Sequence, residues 1–226
     1  MTDEIEKIKK NEWSIRSIPL KIAKQFIEKW HYANGAGDVS TYCFGLFYKA
    51  DKYTINGVAL WNPPPPGAAK SVDLRNPGSV LGLSRFCLIE GRPENSGSFL
   101  ISKSIKLIDK LKWNTLLTYA DIGCDHTGGL YRAANWCFNG VTGKNPVWWN
   151  PKTNRMVSKK SGKKTYTTAE MLDMNYEFRG YHTKRRFIYP LHNRKNIIIQ
   201  PRINEPIYEQ TELTFTANGK IFKYKI

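Results

Sequence analysis

Leu83-Ser84-Arg85-Phe86-Cys87-Leu88-Ile89 is an apolar run of strand length, and Gly91-Arg92-Pro93-Glu94-Asn95-Ser96-Gly97 behind it is a cluster of turn residues. They open a stretch, 83–139, that reads as strand, loop, helix, strand, loop, helix. From Ser98 to Leu111, apolar residues recur at Ile101, Ile105 and Ile108, with Leu100, Leu107 and Leu111 beside them, which is the spacing of a helix face. Thr115-Leu116-Leu117-Thr118-Tyr119-Ala120-Asp121 is a second buried-strand candidate. Gly128-Gly129-Leu130-Tyr131-Arg132-Ala133-Ala134-Asn135-Trp136 looks like the opening of another helix. Two strands joined by a helical crossover are expected to lie parallel with a right-handed connection. Ligands of open α/β sheets sit beyond the carboxyl ends of such strands. Arg85, Asn95, Ser96, Ser98, Asp121, His126 and Tyr131 collect there.

Towards the N-terminus, residues 1–12 read as a polar, flexible start, and Trp13-Ser14-Ile15-Arg16 as a short strand. Ser17 is a candidate cap for a helix with Pro19 in its first turn and an apolar face of Ile22, Ala23, Phe26, Ile27 and Trp30. That helix delivers His31-Tyr32 to a Gly/Asn/Asp loop. Residues 41–48 and 53–61 are β-rich and read as a hairpin. Four prolines, 63–66, begin an extended surface spacer that reaches about residue 80.

Towards the C-terminus, residues 151–166 read as an exposed basic loop carrying Lys152, Arg155, Lys159, Lys160, Lys163 and Lys164. Thr168 is a candidate cap for a short helix. Lys184-Arg185-Arg186-Phe187-Ile188-Tyr189-Pro190 is a strand with a cationic entry. Asn218-Gly219 between two alternating runs predicts a hairpin over 213–226. The organisation is thus a flexible start (1–12), one α/β domain (13–196) and an extension (197–226). The element order predicts a mixed, mostly antiparallel sheet with helices on both faces.

The chain has 226 residues and a net charge of +16, which suggests a polyanionic partner, most simply nucleic acid. No run of eighteen apolar residues offers a membrane span. Cys43, Cys87, Cys124 and Cys137 have no framework spacing, which favours a reduced, intracellular protein.

The chemistry gathers at the strand ends. The helix after the Gly/Ser/Asn loop begins with unpaired N–H groups that suit a phosphate, and Arg85 or Arg92 can add charge-assisted contacts. Ser96 and Ser98 serve equally well as helix caps. A phenol at Tyr131 can protonate a leaving thiolate or hold an acyl oxygen; an ordinary half-buried tyrosine is the plainer reading. Asp121 reads as a turn former, a base or a metal ligand, and His31 as a ligand candidate. Cys124-Asp125-His126 and Cys137 match no zinc spacing. Trp148-Trp149 beside the basic loop suits an unstacked base.

In their order and spacing, several of these pieces resemble the Mom family of bacteriophage DNA-modification proteins, which have a GNAT-like acyltransferase fold. The matching pieces are His31-Tyr32, Leu83-Ser84-Arg85, the loop and helix from Asn95 to Ile105, Thr118-Tyr119-Ala120-Asp121, the run from Gly128 to Trp136, and Lys184 to Tyr189. The resemblance implies modification of the N6 amino group of adenine in DNA to a methylcarbamoyl-type adduct. Such an adduct shields phage DNA from restriction in the cytoplasm of an infected bacterium. It also implies catalytic roles for His31, Tyr32, Arg85, Ser98, Asp121 and Tyr131.

An acetyl-CoA-like donor is expected at Arg85, Asn95, Ser96, Gly97 and Ser98. Iron is a further expectation, with His31 and Asp121 as ligands. The partner is double-stranded DNA with a flipped adenine, gripped by Trp148, Trp149, Lys152, Arg155, Lys159, Lys160, Lys163, Lys164, Lys184, Arg185 and Arg186. The loop 92–98 departs from the phosphate loop of ordinary GNAT members, which has an Arg or Gln followed at fixed spacing by two Gly/Ala positions. Two other readings stay open: a GNAT-type transferase for a protein, RNA or small-molecule amine, and a non-catalytic DNA-binding protein.

Overall fold

The computed structural model describes residues 6–124, 126–161, 164–192, 212–217 and 220–225. The chain begins with β1 (Trp13–Ser17), α1 (Leu20–Trp30), β2 (Tyr42–Tyr48), β3 (Ile55–Asn62) and α2 (Pro66–Lys70). The central stretch forms β4 (Val80–Leu88), α3 (Ser96–Leu107), β5 (Thr115–Asp121), α4 (Gly129–Ala133) and β6 (Cys137–Val141). Next come β7 (Asn145–Asn150), β8 (Arg155–Val157), β9 (Lys160–Ser161), β10 (Lys164–Thr165), α5 (Thr168–Asp173), β11 (Glu177–His182) and β12 (Lys184–Pro190). A last hairpin pairs β13 (Glu212–Ala217) with β14 (Lys220–Lys225); the Asn218-Gly219 that predicts it lies outside the described residues.

Among the described residues, seven strands form the main sheet in the order β1-β2-β3-β4-β5-β12-β6. Every neighbouring pair is antiparallel except β4 and β5. Alternation along the strands divides the core between two faces. Phe44, Leu46, Ala59 and Trp61 pack with Phe99, Leu100, Ile101 and Ile105 of α3. Cys43, Val58 and Leu60 pack with Ala23 and Ile27 of α1. The helices therefore cover both faces, as expected. Burial outweighs capping at α3: four buried apolar side chains contribute about 1.5–3 kcal/mol each, whereas Asn95 makes no side-chain cap hydrogen bond, a contribution of only about 1 kcal/mol elsewhere.

The parallel pairing within the main sheet is short. Val80, Leu81 and Gly82 pair with Thr115, Leu116 and Leu117, and there the ladder ends. Beyond it β4 stays paired to β3 as far as Leu88, and β5 to β12 as far as Asp121. The two strand ends are thus held apart from their outer sides.

Several expectations are corrected. Residues 6–12 are tied down through Glu94, whose carbonyl accepts the Ile8 N–H (2.9 Å) and whose N–H donates to the Glu6 carbonyl (2.9 Å). Ser17 ends β1 instead of capping α1, whose N-cap is Pro19. The spacer after Asn62 contains α2, because Ala69 has an apolar pocket against Val80, Leu117 and Ile188. The helix expected from 98 to 111 runs from Ser96 to Leu107, and the second helix shrinks to the five residues of α4. The basic loop is partly strand. β8 joins β7 and β11 in a three-stranded sheet inserted between β6 and β12, and β9 pairs with β10. The cap of α5 is Thr167, in a capping box with Glu170.

Candidate active site

A cleft of about 1410 Å³ opens where β4 and β5 part. Its floor is Phe86, Cys87 and Leu88 of β4. One wall is the loop 90–95 with the first turn of α3, and the other is His31, Tyr32, His126 and the start of α4. The loop is shaped by Gly91 (φ +72°) and Asn95 (φ +64°), two left-handed residues. Ser96 Oγ donates to Pro93 (2.7 Å) and Ser98 Oγ to Asn95 (3.1 Å). Both hydroxyls thus order the loop, and the amides of the first turn are left as the anion-binding groups.

Behind the opposite wall lies a buried polar group. Tyr32 is its hub. Its phenol is pushed well above the usual tyrosine value, first by burial, then by Cys124 and Asp121, with Arg85 opposing and Tyr131 adding. Its ring stacks on His31 (4.4 Å) and meets His126 edge-on (5.3 Å). Arg85 projects from β4, donates through Nε to the Gly35 carbonyl (2.8 Å) and so holds the loop after His31-Tyr32. Burial, helped by Arg85 and His126, lowers His31 to about 3. Its Nδ1 accepts the Ala33 N–H at 3.0 Å, which requires the same neutral ring. Tyr131 tucks its ring between Trp136 (5.9 Å) and Phe187 (5.4 Å), and burial raises its phenol despite a Thr118 contact.

Asp121 ends β5 at a buried position. Its Oδ1 lies 3.0 Å from His182 Nδ1 and accepts the Gly123 N–H at 3.1 Å; its Oδ2 is 3.5 Å from Lys184 Nζ. Burial raises this carboxyl, but the His182 bond and the Lys184 charge outweigh burial and hold it below the ordinary value. Among the described residues, the single trio of metal-ligand type is Asp121, Cys124 and His182, with ligand atoms within 4.8 Å of one another. A Cβ on Gly123 would stand 2.4 Å from His182 Nδ1, so only glycine admits the imidazole. A carboxylate, a thiol and an imidazole in that cradle fit iron or zinc. His31, expected as the partner of Asp121, is outside the trio.

The structure therefore gathers His31, Tyr32, Arg85, Asp121 and Tyr131 around one centre, with Asn95, Ser96, Gly97 and Ser98 on the far wall. Cys124, His182 and Lys184 as neighbours of Asp121 escape the sequence reading. The available signal was the Asp121-x-x-Cys124 spacing; nothing local marks His182.

The nucleic-acid residues divide. Trp148 and Trp149 are buried, 2% and 4% exposed, because β7 is the central strand of the small sheet. Their assigned stacking role is corrected; Phe178 and Tyr181 on β11 are the exposed aromatics there. Lys152, Arg155, Lys160 and Lys164 are exposed, Lys159 and Arg185 half-buried, and Lys163 lies outside the described residues. Arg155 pairs with Glu28 (3.0 Å) and Lys164 with Glu170 (2.8 Å). Arg186 donates to Asn139 (2.9 Å) and Ser71 (2.8 Å), a structural use.

A mixed, mostly antiparallel sheet whose one parallel pair splays over a helix N-terminus is a GNAT-like fold. Arabidopsis thaliana NAA60 in complex with acetyl-CoA is similar, with a TM-score of 0.52 and 9% identity over 80% of this chain and 99% of that one. The ribosomal-protein-S18-alanine N-acetyltransferase from Escherichia coli gives a TM-score of 0.45 and 13% identity over 82% and 98%. The chain belongs to the Mom protein family, whose model matches residues 12–208. Among curated proteins none matches the sequence. No helix among the described residues is long and apolar enough to cross a membrane.

Proposed function

We propose that this protein is a transferase that modifies the N6 amino group of adenine in DNA, giving a methylcarbamoyl-type adduct that protects phage DNA from restriction in the infected bacterium. The observation that carries this reading is the set of side chains around Tyr32: Arg85, Asp121 and Tyr131 all act on its phenol, and His31 stacks on its ring. These are five of the six residues that the family resemblance marks, and Ser98, the sixth, lines the same cleft.

An acyl-CoA donor, when bound, supplies a thioester-activated group; the amides of Gly97 and Ser98 at the head of α3 would hold its phosphates. Iron, if bound, supplies Lewis-acid or redox chemistry at the Asp121 side. The residues do the rest. Adenine N6 is a poor nucleophile, since its lone pair is delocalised into the ring, so positioning carries much of the barrier. Tyr32, kept protonated, has a hydroxyl hydrogen to offer a substrate oxygen or nitrogen. Asp121, kept anionic, is the base of the site. Tyr131, also kept protonated, is the acid for the sulfur that departs in the acyl transfer, and the nitrogen of a methylcarbamoyl-type group, which an acyl-CoA lacks, has to come from a second, nitrogen-bearing co-substrate. The +16 charge supports duplex binding, with the target base flipped out of the stack.

The test is to express the protein with a plasmid, digest the DNA to nucleosides and measure their masses. A new adenosine species, absent with Asp121→Asn, is expected. Unmodified adenosine from folded, DNA-bound protein supplied with donor and iron would overturn the reading.

A further inference from the structure

β11 leaves two large aromatic rings in solvent: Phe178 is 45% and Tyr181 52% exposed. Three residues apart on a regular strand, they would point to opposite faces of the sheet. They share a face because the pairing with β7 shifts register between them, where Gly180 has φ +83°. Phe178 then stands opposite Trp148 and Tyr181 opposite Pro146, two positions of β7 on one face, and the rings meet edge-on at 5.3 Å. Trp148 supports Phe178 from a buried position, ring centres 5.3 Å apart. The strand that turns Tyr181 outward turns the next residue, His182, inward, where its Nδ1 is 3.0 Å from Asp121 Oδ1. The aromatic pair is thus one residue from the side chain that holds Asp121.

The small sheet is joined to the cleft at its other end as well. Arg155, opposite Asn150 and so on the face of Trp148, reaches Glu28 of α1 (3.0 Å). The buried Asn34, two residues after Tyr32, donates to the Asn154 carbonyl (2.8 Å). Single exposed apolar side chains are ordinary. A bulge that gathers two rings on one face beside a site is a built feature. Cations surround it: from Thr142 to Arg186 the sequence has eleven Lys and Arg against three Asp and Glu, a net charge of +8, half of the chain's +16. Lys144, before the Pro146 end of β7, and Lys152, beyond its other end, are exposed. Protein interfaces are depleted in lysine, so a protein partner fits this surface poorly. Aromatic faces among cations hold unpaired bases, the rings stacking on the base and the cations taking the phosphates. We propose that Phe178 and Tyr181 form a stacking platform for an unpaired base of the DNA strand, with the strand's phosphates on Lys144 and Lys152. Neither ring lines the cleft, so the base they take is a neighbour of the target adenine and not the adenine itself. The proposal rests on DNA being the substrate.

The experiment uses the full chain and two labelled single strands of equal length, one of thymidine and one of abasic sugars, read by fluorescence anisotropy. Thymidine is not the target base, so the comparison reports on the platform and not on the adenine site. Wild-type protein should bind the thymidine strand about tenfold or more tightly than the abasic one. Phe178→Ala with Tyr181→Ala should remove that preference and leave abasic binding unchanged. Phe178→Leu with Tyr181→Leu keeps an apolar cover over Trp148 but no ring face, and should remove it too. Lys144→Ala should weaken both strands alike and reduce the salt dependence. Circular dichroism checks that each variant is folded. A preference that survives in either folded double variant overturns the proposal, as does its absence in the wild type. A wild-type dimer that the alanine variant dissociates, with the preference kept, would make the face a contact between copies of the chain and also overturn it. Wild-type protein that binds neither strand defeats the DNA reading along with the platform. Unmodified plasmid adenine beside the expected preference defeats adenine modification and supports the platform.

Discussion

The two strand ends that border the cleft are built on opposite principles. The end of β4 runs into an exposed loop whose tools are backbone amides, with serines turned back on the loop carbonyls. The end of β5 runs into a tight turn whose tools are buried side chains, Asp121 with His182 and Cys124. The first arrangement suits a ligand gripped by its charge, since amides do not ionise at neutral pH. The second suits proton or metal chemistry, since burial sets the charge state of each group. Substitutions at β5 should therefore strike turnover and stability, and those at β4 should strike ligand binding.

The largest expected effect is on turnover. Asp121→Asn keeps the shape but removes the charge, and adenine modification should fall by about 10²–10⁴-fold. Ser98→Ala at the other end should lower it less than tenfold, as a rise in the donor KM with kcat kept. Nucleoside mass spectrometry over a donor titration reads both. Equal losses in kcat would break the comparison.

Stability should divide the same way at two glycines. Gly128, after the β5 end, has φ +81° and a Cβ there would lie 2.3 Å from the Phe187 ring. Gly91, after the β4 end, has φ +72° with open space around it. Gly128→Ala should cost about 2–5 kcal/mol, combining left-handed strain with overpacking. Gly91→Ala should cost about 1–2 kcal/mol from strain alone. Urea unfolding of the two variants decides it.

The β4–α3–β5 unit was legible because its apolar spacing and its crossover rule act locally and act together. Asp121 was fixed as a strand end to the residue, and β12 likewise from Lys184 to Pro190. Trp148-Trp149 misled because the sequence between 151 and 166 is polar, and its pairing with β11, which buries both rings, is a contact across many residues. His182 was invisible for the same reason: what makes it a partner of Asp121 is sheet topology, and a lone histidine carries no spacing. The residues 6–12 looked free because they are polar, although their order comes from backbone hydrogen bonds to the 94 position, which composition does not encode.

A smaller effect concerns pH. His31 is lowered to about 3 by burial, Arg85 and His126, whereas an unfolded histidine titrates near 6.5. The unfolded chain therefore binds the proton more readily. The stability from this ring is fully present above about 6.5 and is lost as pH falls from there towards 3. Between pH 7 and 5 the loss should be about 1–2 kcal/mol. His31→Gln should flatten the curve over that window in urea titrations. An unchanged slope would mean that the ring is protonated in the fold.

The smallest effect tests whether the β4 end acts through backbone alone. Asn95 holds φ +64° at the head of α3, and its side chain makes no cap hydrogen bond. Glycine accepts that conformation freely, so Asn95→Gly should shift stability by less than about 0.5 kcal/mol, while Asn95→Ala, strained there, should cost about 1 kcal/mol. If amides alone grip the donor, the donor Kd measured by calorimetry should be the same for Asn95→Gly as for the wild type. A tenfold loss in that variant, with stability kept, would mean that the Asn95 amide reaches the ligand, and the β4 end would then use side chains as the β5 end does.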